Sequence, residues 1–210
     1  MQLYKHHQDK KVEWNRYLIS IMPYFNVCKD KTILEIGPMF GTHTNLIKHY
    51  APKNITFVEL DHNAVTSVLP TDHPDCELIV DDIFLFLEKP HNFDVVVCCG
   101  VLYHLHSPLY LLELIANRIN PEYILLETFS PDKEKLNEPH AIIKQEHDNE
   151  LGARQIVPNW KSCGVAIIMS NQIFINAMNN LGYDLIKTAN HVIKPSNPNE
   201  NIFFGVFKQR

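Results

Sequence analysis

Apolar positions along the chain follow two alternating rhythms. Dense apolar runs at Thr32 to Ile36, Ile55 to Leu60, Glu77 to Val80, Phe93 to Cys99 and Tyr123 to Glu127 are bounded by turn-forming residues, the pattern of buried strands. Between them, His43 to His49, Asn63 to Leu69 and Leu109 to Ile119 return apolar residues at helical spacing. The run VVVCC, Val95 to Cys99, has no polar face. A strand of that kind belongs in a parallel sheet covered on both sides, not in an antiparallel sheet with one wet face. Strand and helix alternating in this way predict an α/β fold, a Rossmann-like three-layer sandwich.

The flanks complete this frame. Glu13 to Phe25 carries Trp14, Leu18, Ile21 and Met22 on one stripe, a helix that covers the sheet. Asn171 to Leu181 is a second amphipathic helix, and Gly182 stands where a left-handed residue would stop it. Tyr183 to Ile193 and Ile202 to Phe207, separated by SNPNEN, are expected to close the sheet as an antiparallel pair. The result is a seven-stranded, mostly parallel sheet. The polar stretch Ser130 to Ser162, with Pro131, Pro139 and Pro158, is too long for an ordinary connection and reads as a substrate loop or lid. A single domain over 1–210 is expected, with the covering helix in 1–30, the core in 31–129, the insertion in 130–165 and the last helix and strand pair in 166–210.

Composition narrows the partners. At 45% hydrophobic and 20% charged residues the chain is neither disordered nor collagen-like, and 210 residues suffice for one packed core. A net charge of -5 provides no global field to draw it onto a polyanion. Lys10, Lys11 and Arg16, or Arg154 and Lys161, are short basic clusters that read as solvated surface. The five cysteines, at 28, 76, 98, 99 and 163, form no CxxC pair, so neither a disulfide framework nor a zinc site is suggested. No apolar stretch approaches the roughly 20 residues of a membrane span, and the N-terminus has no signal-peptide core. A cytoplasmic protein with no membrane partner is expected.

Candidate chemistry gathers at the strand ends. TILEIGPMFGTHTNLI puts Glu35 at the end of the first strand and Gly37 and Gly41 in the turn to a helix. Glycine there lets the backbone bend sharply and approach a ligand, although Met39 takes the middle place of the usual three-glycine pattern. In FVELD, Asp61 falls about twenty residues after that turn, where a ribose-binding carboxylate belongs; capping of the next helix is the competing role. After the third strand, VDDIF offers Asp82 to accept from an adenine amine and Ile83 to cover the ring, with Asp81 as an alternative carboxylate.

The fourth strand, FDVVVCCGVLYHLHSP, runs into Gly100 and then presents Tyr103, His104 and His106 at its carboxyl end, where open parallel sheets bind ligands. Taken in order, EIGPMFGTHT, FVELD, VDDIF and FDVVVCCGVLYHL resemble the motifs of class I S-adenosylmethionine-dependent methyltransferases over roughly the first 130 residues. Within that superfamily the VLYHLHSP turn, the LLET strand end and EWNR at Glu13 to Arg16 are similar to the tRNA wobble-uridine carboxymethyltransferase family. Leu105 and His106 replace the arginines that follow the histidine in that family, and most of its N-terminal extension is missing.

The resemblance implies S-adenosylmethionine as cofactor, with S-adenosylhomocysteine as product. It implies a cofactor set of Trp14, Glu35, Gly37, Gly41, Asp61, Asp82, Ile83, Cys99 and Gly100, and places Tyr103 near the transferred group. His104 is the candidate general base, with an orienting role as the alternative. Arg154, Asn159 and Trp160 are acceptor candidates in the insertion. His104 and His106 could draw on His43 or Glu127 as further metal ligands, but the pair has no sequence-local third ligand, so no metal is expected. A small-molecule acceptor is preferred over RNA, because the chain is acidic and has no dense basic stripe. A non-catalytic binder of the same cofactor is the main alternative. A nicotinamide oxidoreductase is disfavoured, since Met39 and Phe40 obstruct the approach of a pyrophosphate.

Overall fold

The computed structural model describes residues 14–62, 64–130, 139, 141–145, 165–192 and 201–210. A helix over residues 14–21 (α1) runs into 3-10 turns at Met22–Cys28. Strand β1 (Thr32–Ile36) leads to α2 (Thr42–His49), and β2 (Asn54–Glu59) leads through a π turn, Ala64–Val68, to α3 (Leu69–Asp72). Next come β3 (Glu77–Val80), α4 (Ile83–Phe86), β4 (Val95–Cys99), a 3-10 turn at Leu102–His104 and α5 (Pro108–Leu114), which continues as a π turn to Ile119. After β5 (Tyr123–Ser130) the described elements are β6 (Ala141–Gln145), β7 (Val165–Met169), α6 (Asn171–Asn180), β8 (Tyr183–Val192) and β9 (Asn201–Gln209).

The main sheet has seven strands in the order β3-β2-β1-β4-β5-β9-β8. The first five are mutually parallel; β9 runs antiparallel to both β5 and β8. This is the α/β Rossmann-like sheet that the alternating pattern predicts. The strand pleat sends Leu34, Ile36, Val96, Cys98, Ile124 and Leu126 to the face that buries α5 and α6. Ile33, Val95, Val97, Cys99 and Leu125 face α1, the 3-10 turns and α2. Every residue of VVVCC is buried, and each fully buried valine contributes roughly 1.5–3 kcal/mol. Strand β8 departs from regular pairing between Leu185 and Lys187, and the bulge leaves Ile186 exposed.

Helix α6 ends as its sequence dictates. Gly182 takes φ +90 and its amide returns to the Asn179 carbonyl. The insertion differs from the polar loop expected of it. Ala141–Gln145 pairs antiparallel with Val165–Met169, so β6 and β7 form a separate two-stranded sheet. Each strand is short and, among the described residues, pairs only with the other, across some twenty intervening positions, which leaves little trace in local periodicity. The brief α4 also follows β3 where no helix was expected. Among the described residues, no helix is long and apolar enough to cross a membrane.

Candidate cofactor and acceptor site

The turn after β1 is built from left-handed residues. Gly37, Met39 and Gly41 take φ of 63, 49 and 69. Met39 therefore adopts the backbone that glycine supplies in the usual pattern, at a steric cost of about 1–2 kcal/mol. Both glycines are also held by contact: a Cβ on Gly37 would lie 2.6 Å from Val101 Cγ2, and one on Gly41 would lie 2.0 Å from His73 Nε2. The Gly37 amide donates to the Val58 carbonyl at 2.9 Å and the Gly41 amide to Pro38 at 2.8 Å.

Glu59, the last residue of β2, organises this turn. Its Oε2 accepts from the Met39 amide at 2.8 Å, and its Oε1 accepts from the amides of Leu60 and Asp61 at 2.7 and 2.9 Å. Sequence reasoning passed over Glu59 in favour of Asp61, although its place at the strand terminus in FVELD was the available signal. Asp61 is buried and caps the next helical segment, its Oδ1 accepting from the Ala64 amide at 2.8 Å. Its Oδ2 is buried with no hydrogen-bond partner among the described residues.

Asp82 caps α4 by accepting from the Phe84 amide at 2.7 Å, while Asp81 accepts from the Asp82 amide at 2.8 Å. Ile83 is buried in the core on the α5 side of the sheet. Its side chain, at the start of α4, belongs to the buried cluster of that face.

At the end of β4, Gly100 takes φ +77. Tyr103 lies across the turn with its ring 4.2 Å from that of His104 and 4.5 Å from that of Phe129. Burial holds His104 down at about 4, so its imidazole is neutral at pH 7. Cys99 is buried, and burial, helped by the charge of Glu127, pushes its thiol well above the ordinary range. A nucleophilic thiolate is therefore not prepared there.

Beneath α1 the structure gathers a polar group that no local motif announces. The Tyr17 hydroxyl donates to Glu127 Oε2 at 2.6 Å, and His43 Nε2 meets the same oxygen at 2.9 Å. Trp14 packs on Tyr17 with ring centroids 5.3 Å apart and stands edge-on to His43 at 6.5 Å. Burial opposes a charge on His43, but Glu127 and Glu35 outweigh it and hold the imidazole above its ordinary value. Glu35 is buried with Thr44 Oγ1 donating to it at 2.7 Å. Burial pushes Glu35 up to about 7 against the pull of that hydrogen bond and of His43. Arg154, Asn159 and Trp160 lie outside the described residues.

The strand ends thus bring together Gly37, Gly41, Glu59, Asp61, Gly100 and Tyr103 at one edge of the sheet. A methyltransferase-domain family model matches residues 4–188. The chain belongs to this methyltransferase family. No curated protein matches the sequence. Solved structures with the same fold include the N-terminal domain of EvdMO1 with SAH and D-fucose. That domain is 19% identical, over 89% of this chain and 79% of that one, at a TM-score of 0.61. Magnesium protoporphyrin IX methyltransferase (ChlM) from Synechocystis PCC 6803 with bound SAH is 12% identical over 97% and 86%, at 0.66. N-methyltransferase NodS from Bradyrhizobium japonicum WM9 with SAH is 13% identical over 92% and 86%, at 0.61. These likenesses show that the chain shares their α/β Rossmann-like fold.

Proposed function

We propose that this methyltransferase takes its methyl group from S-adenosylmethionine and passes it to a small-molecule acceptor at the carboxyl edge of the sheet. The observation that carries the reading is the pair of left-handed glycine corners, Gly37 after β1 and Gly100 after β4, on adjacent parallel strands. Both strand ends lie where open α/β sheets bind ligands. Asp61 Oδ2, buried without a partner among the described residues, supports the fit, because an orphaned carboxylate oxygen favours a donor such as a ribose hydroxyl. The bound sulfonium supplies a methyl group that is already activated.

This chain's residues would then bind and orient. Gly37, Met39 and Gly41 shape the turn; Glu59 fixes it and, with Asp61, faces the ribose; Asp82 offers its second oxygen to the adenine edge. Trp14 and Tyr103 provide aromatic faces suited to a cation. His104, neutral at pH 7, suits a hydrogen bond that orients the acceptor better than it suits proton abstraction, since a base held at about 4 lies far from the working pH. In-line positioning supplies most of the rate in such a site.

A small-molecule acceptor is supported by the EvdMO1 domain, crystallised with SAH and D-fucose, and by the porphyrin methyltransferase ChlM. The likeness of VLYHLHSP to the wobble-uridine enzymes makes RNA the second arm of the test. Calorimetry with S-adenosylmethionine, S-adenosylhomocysteine and NAD is expected to show binding of the first two. NAD binding without S-adenosylhomocysteine binding would overturn the reading. Labelled cofactor incubated with separated small-molecule and RNA pools is expected to label the former; label in RNA alone would reverse the acceptor class.

A further inference from the structure

We propose that His43, Cys99 and Glu127 form a binding site for a borderline-soft divalent cation of the zinc class. A His43 ring nitrogen, Cys99 Sγ and a Glu127 carboxylate oxygen all lie within 4.8 Å of one another. A cation at the usual ~2.0–2.3 Å from nitrogen, oxygen and sulfur ligands fits inside a triangle of that size. The three residues are brought together by α2, β4 and β5, and Cys99 pairs directly with Glu127 in the sheet register. They are not a sequence motif.

The surroundings hold these ligands as a metal site requires. Phe25 stacks toward the His43 ring at an interplanar angle of 20° with centroids 6.3 Å apart, and Trp14 stands edge-on to it at 6.5 Å, so aromatic rings flank the imidazole. The Tyr17 hydroxyl donates to Glu127 Oε2 at 2.6 Å, the kind of supporting hydrogen bond that orients a ligating carboxylate. One sulfur and one imidazole donor among three ligands select zinc-class ions over magnesium or calcium. Charge balances: a dication bound by a thiolate, a carboxylate and a neutral imidazole is neutral overall. One proton leaves the Cys99 thiol, and a second leaves an imidazolium at His43. Three protein ligands leave a fourth coordination position.

The inference stands on the cluster itself and not on the methyl-donor reading, and the test keeps the two apart. The purified full chain, stripped with a chelator, is titrated with Co²⁺ and followed in the near ultraviolet. The expected result is a thiolate-to-cobalt charge-transfer band that saturates near one equivalent and is abolished by Zn²⁺. Cys99→Ser is expected to lose the band, while Cys76→Ser keeps it. His43→Gln is expected to weaken Co²⁺ binding at least about tenfold, and Tyr17→Phe to weaken it about tenfold with the band retained. Circular dichroism checks that each variant folds, and wild type with Tyr17→Phe suffices if Cys99→Ser does not. Absence of the band in wild type, or its persistence in folded Cys99→Ser, overturns the site. S-adenosylhomocysteine calorimetry on the stripped chain reports the cofactor reading separately.

Discussion

The backbone amide of Met39 donates to Glu59 Oε2 across 2.8 Å, tying the turn after β1 to the end of β2. Glu59 also holds the amides of Leu60 and Asp61, so one carboxylate sets both the glycine turn and the start of the segment that carries Asp61. Hydrogen bonds to a charged group contribute about 1.5–3 kcal/mol each at the upper end of the range. Glu59→Ala is therefore expected to lose about 2–4 kcal/mol in urea denaturation and to weaken S-adenosylhomocysteine binding sharply. Glu59→Gln, which keeps an acceptor oxygen, should lose about half as much. Wild-type stability and affinity in Glu59→Ala would remove its organising role.

Met39 adopts φ +49, which costs a side-chain-bearing residue about 1–2 kcal/mol relative to an unstrained backbone. Glycine would relieve that cost but add chain entropy of roughly 0.5–1 kcal/mol to the unfolded state. Met39→Gly is thus expected to be neutral or stabilising by up to about 1 kcal/mol, with cofactor binding retained. Met39→Val, β-branched in a left-handed position, should destabilise by about 1–3 kcal/mol. A strongly destabilised Met39→Gly would show instead that the side chain itself holds the turn.

Much of this molecule was legible in its sequence, for physical reasons that differ by region. VVVCC and its sister strands declared a two-sided sheet because burial on both faces leaves no polar alternation, and Gly182 marked its helix end because a left-handed stop favours glycine. Met39 concealed the left-handed corner, since the usual pattern puts glycine there, while its backbone does what glycine would do. Asp61 drew attention from Glu59 because spacing counts residues and does not show which carboxylate turns toward the loop. Tyr17, His43 and Glu127 were invisible as a group: they meet across separations of 110 and 84 residues, which only the sheet order creates. The β6–β7 pairing was lost in the same way.

Gly41 is enclosed by His73, whose Nε2 would lie 2.0 Å from an added Cβ. Gly41→Ala therefore meets two penalties, the left-handed backbone at φ +69 and a clash with the imidazole. A loss of about 3 kcal/mol is expected. In a His73→Ala background the clash is gone and only the backbone strain of about 1–2 kcal/mol remains. The double-mutant cycle should show a coupling of about 1–2 kcal/mol. Additive effects would mean that His73 moves aside at no cost.

His104 gives the pH dependence its sign. Its folded value lies at about 4 because burial disfavours the imidazolium, whereas an unfolded histidine titrates near 6.5. Between those values the unfolded chain binds more protons than the folded one, so stability rises with pH. The contribution of His104 is fully present above about 6.5, falls by at most about 1.4 kcal/mol per pH unit below it, and levels off near 4. His104→Gln removes the titrating group and keeps a polar side chain of similar reach. Denaturation from pH 7 to pH 4 is expected to show a shallower loss of stability in that variant than in wild type. If the two profiles fall in parallel, His104 does not titrate as a buried base. If His104→Gln also keeps S-adenosylhomocysteine affinity but loses methyl transfer, its role lies with the acceptor and not with the cofactor.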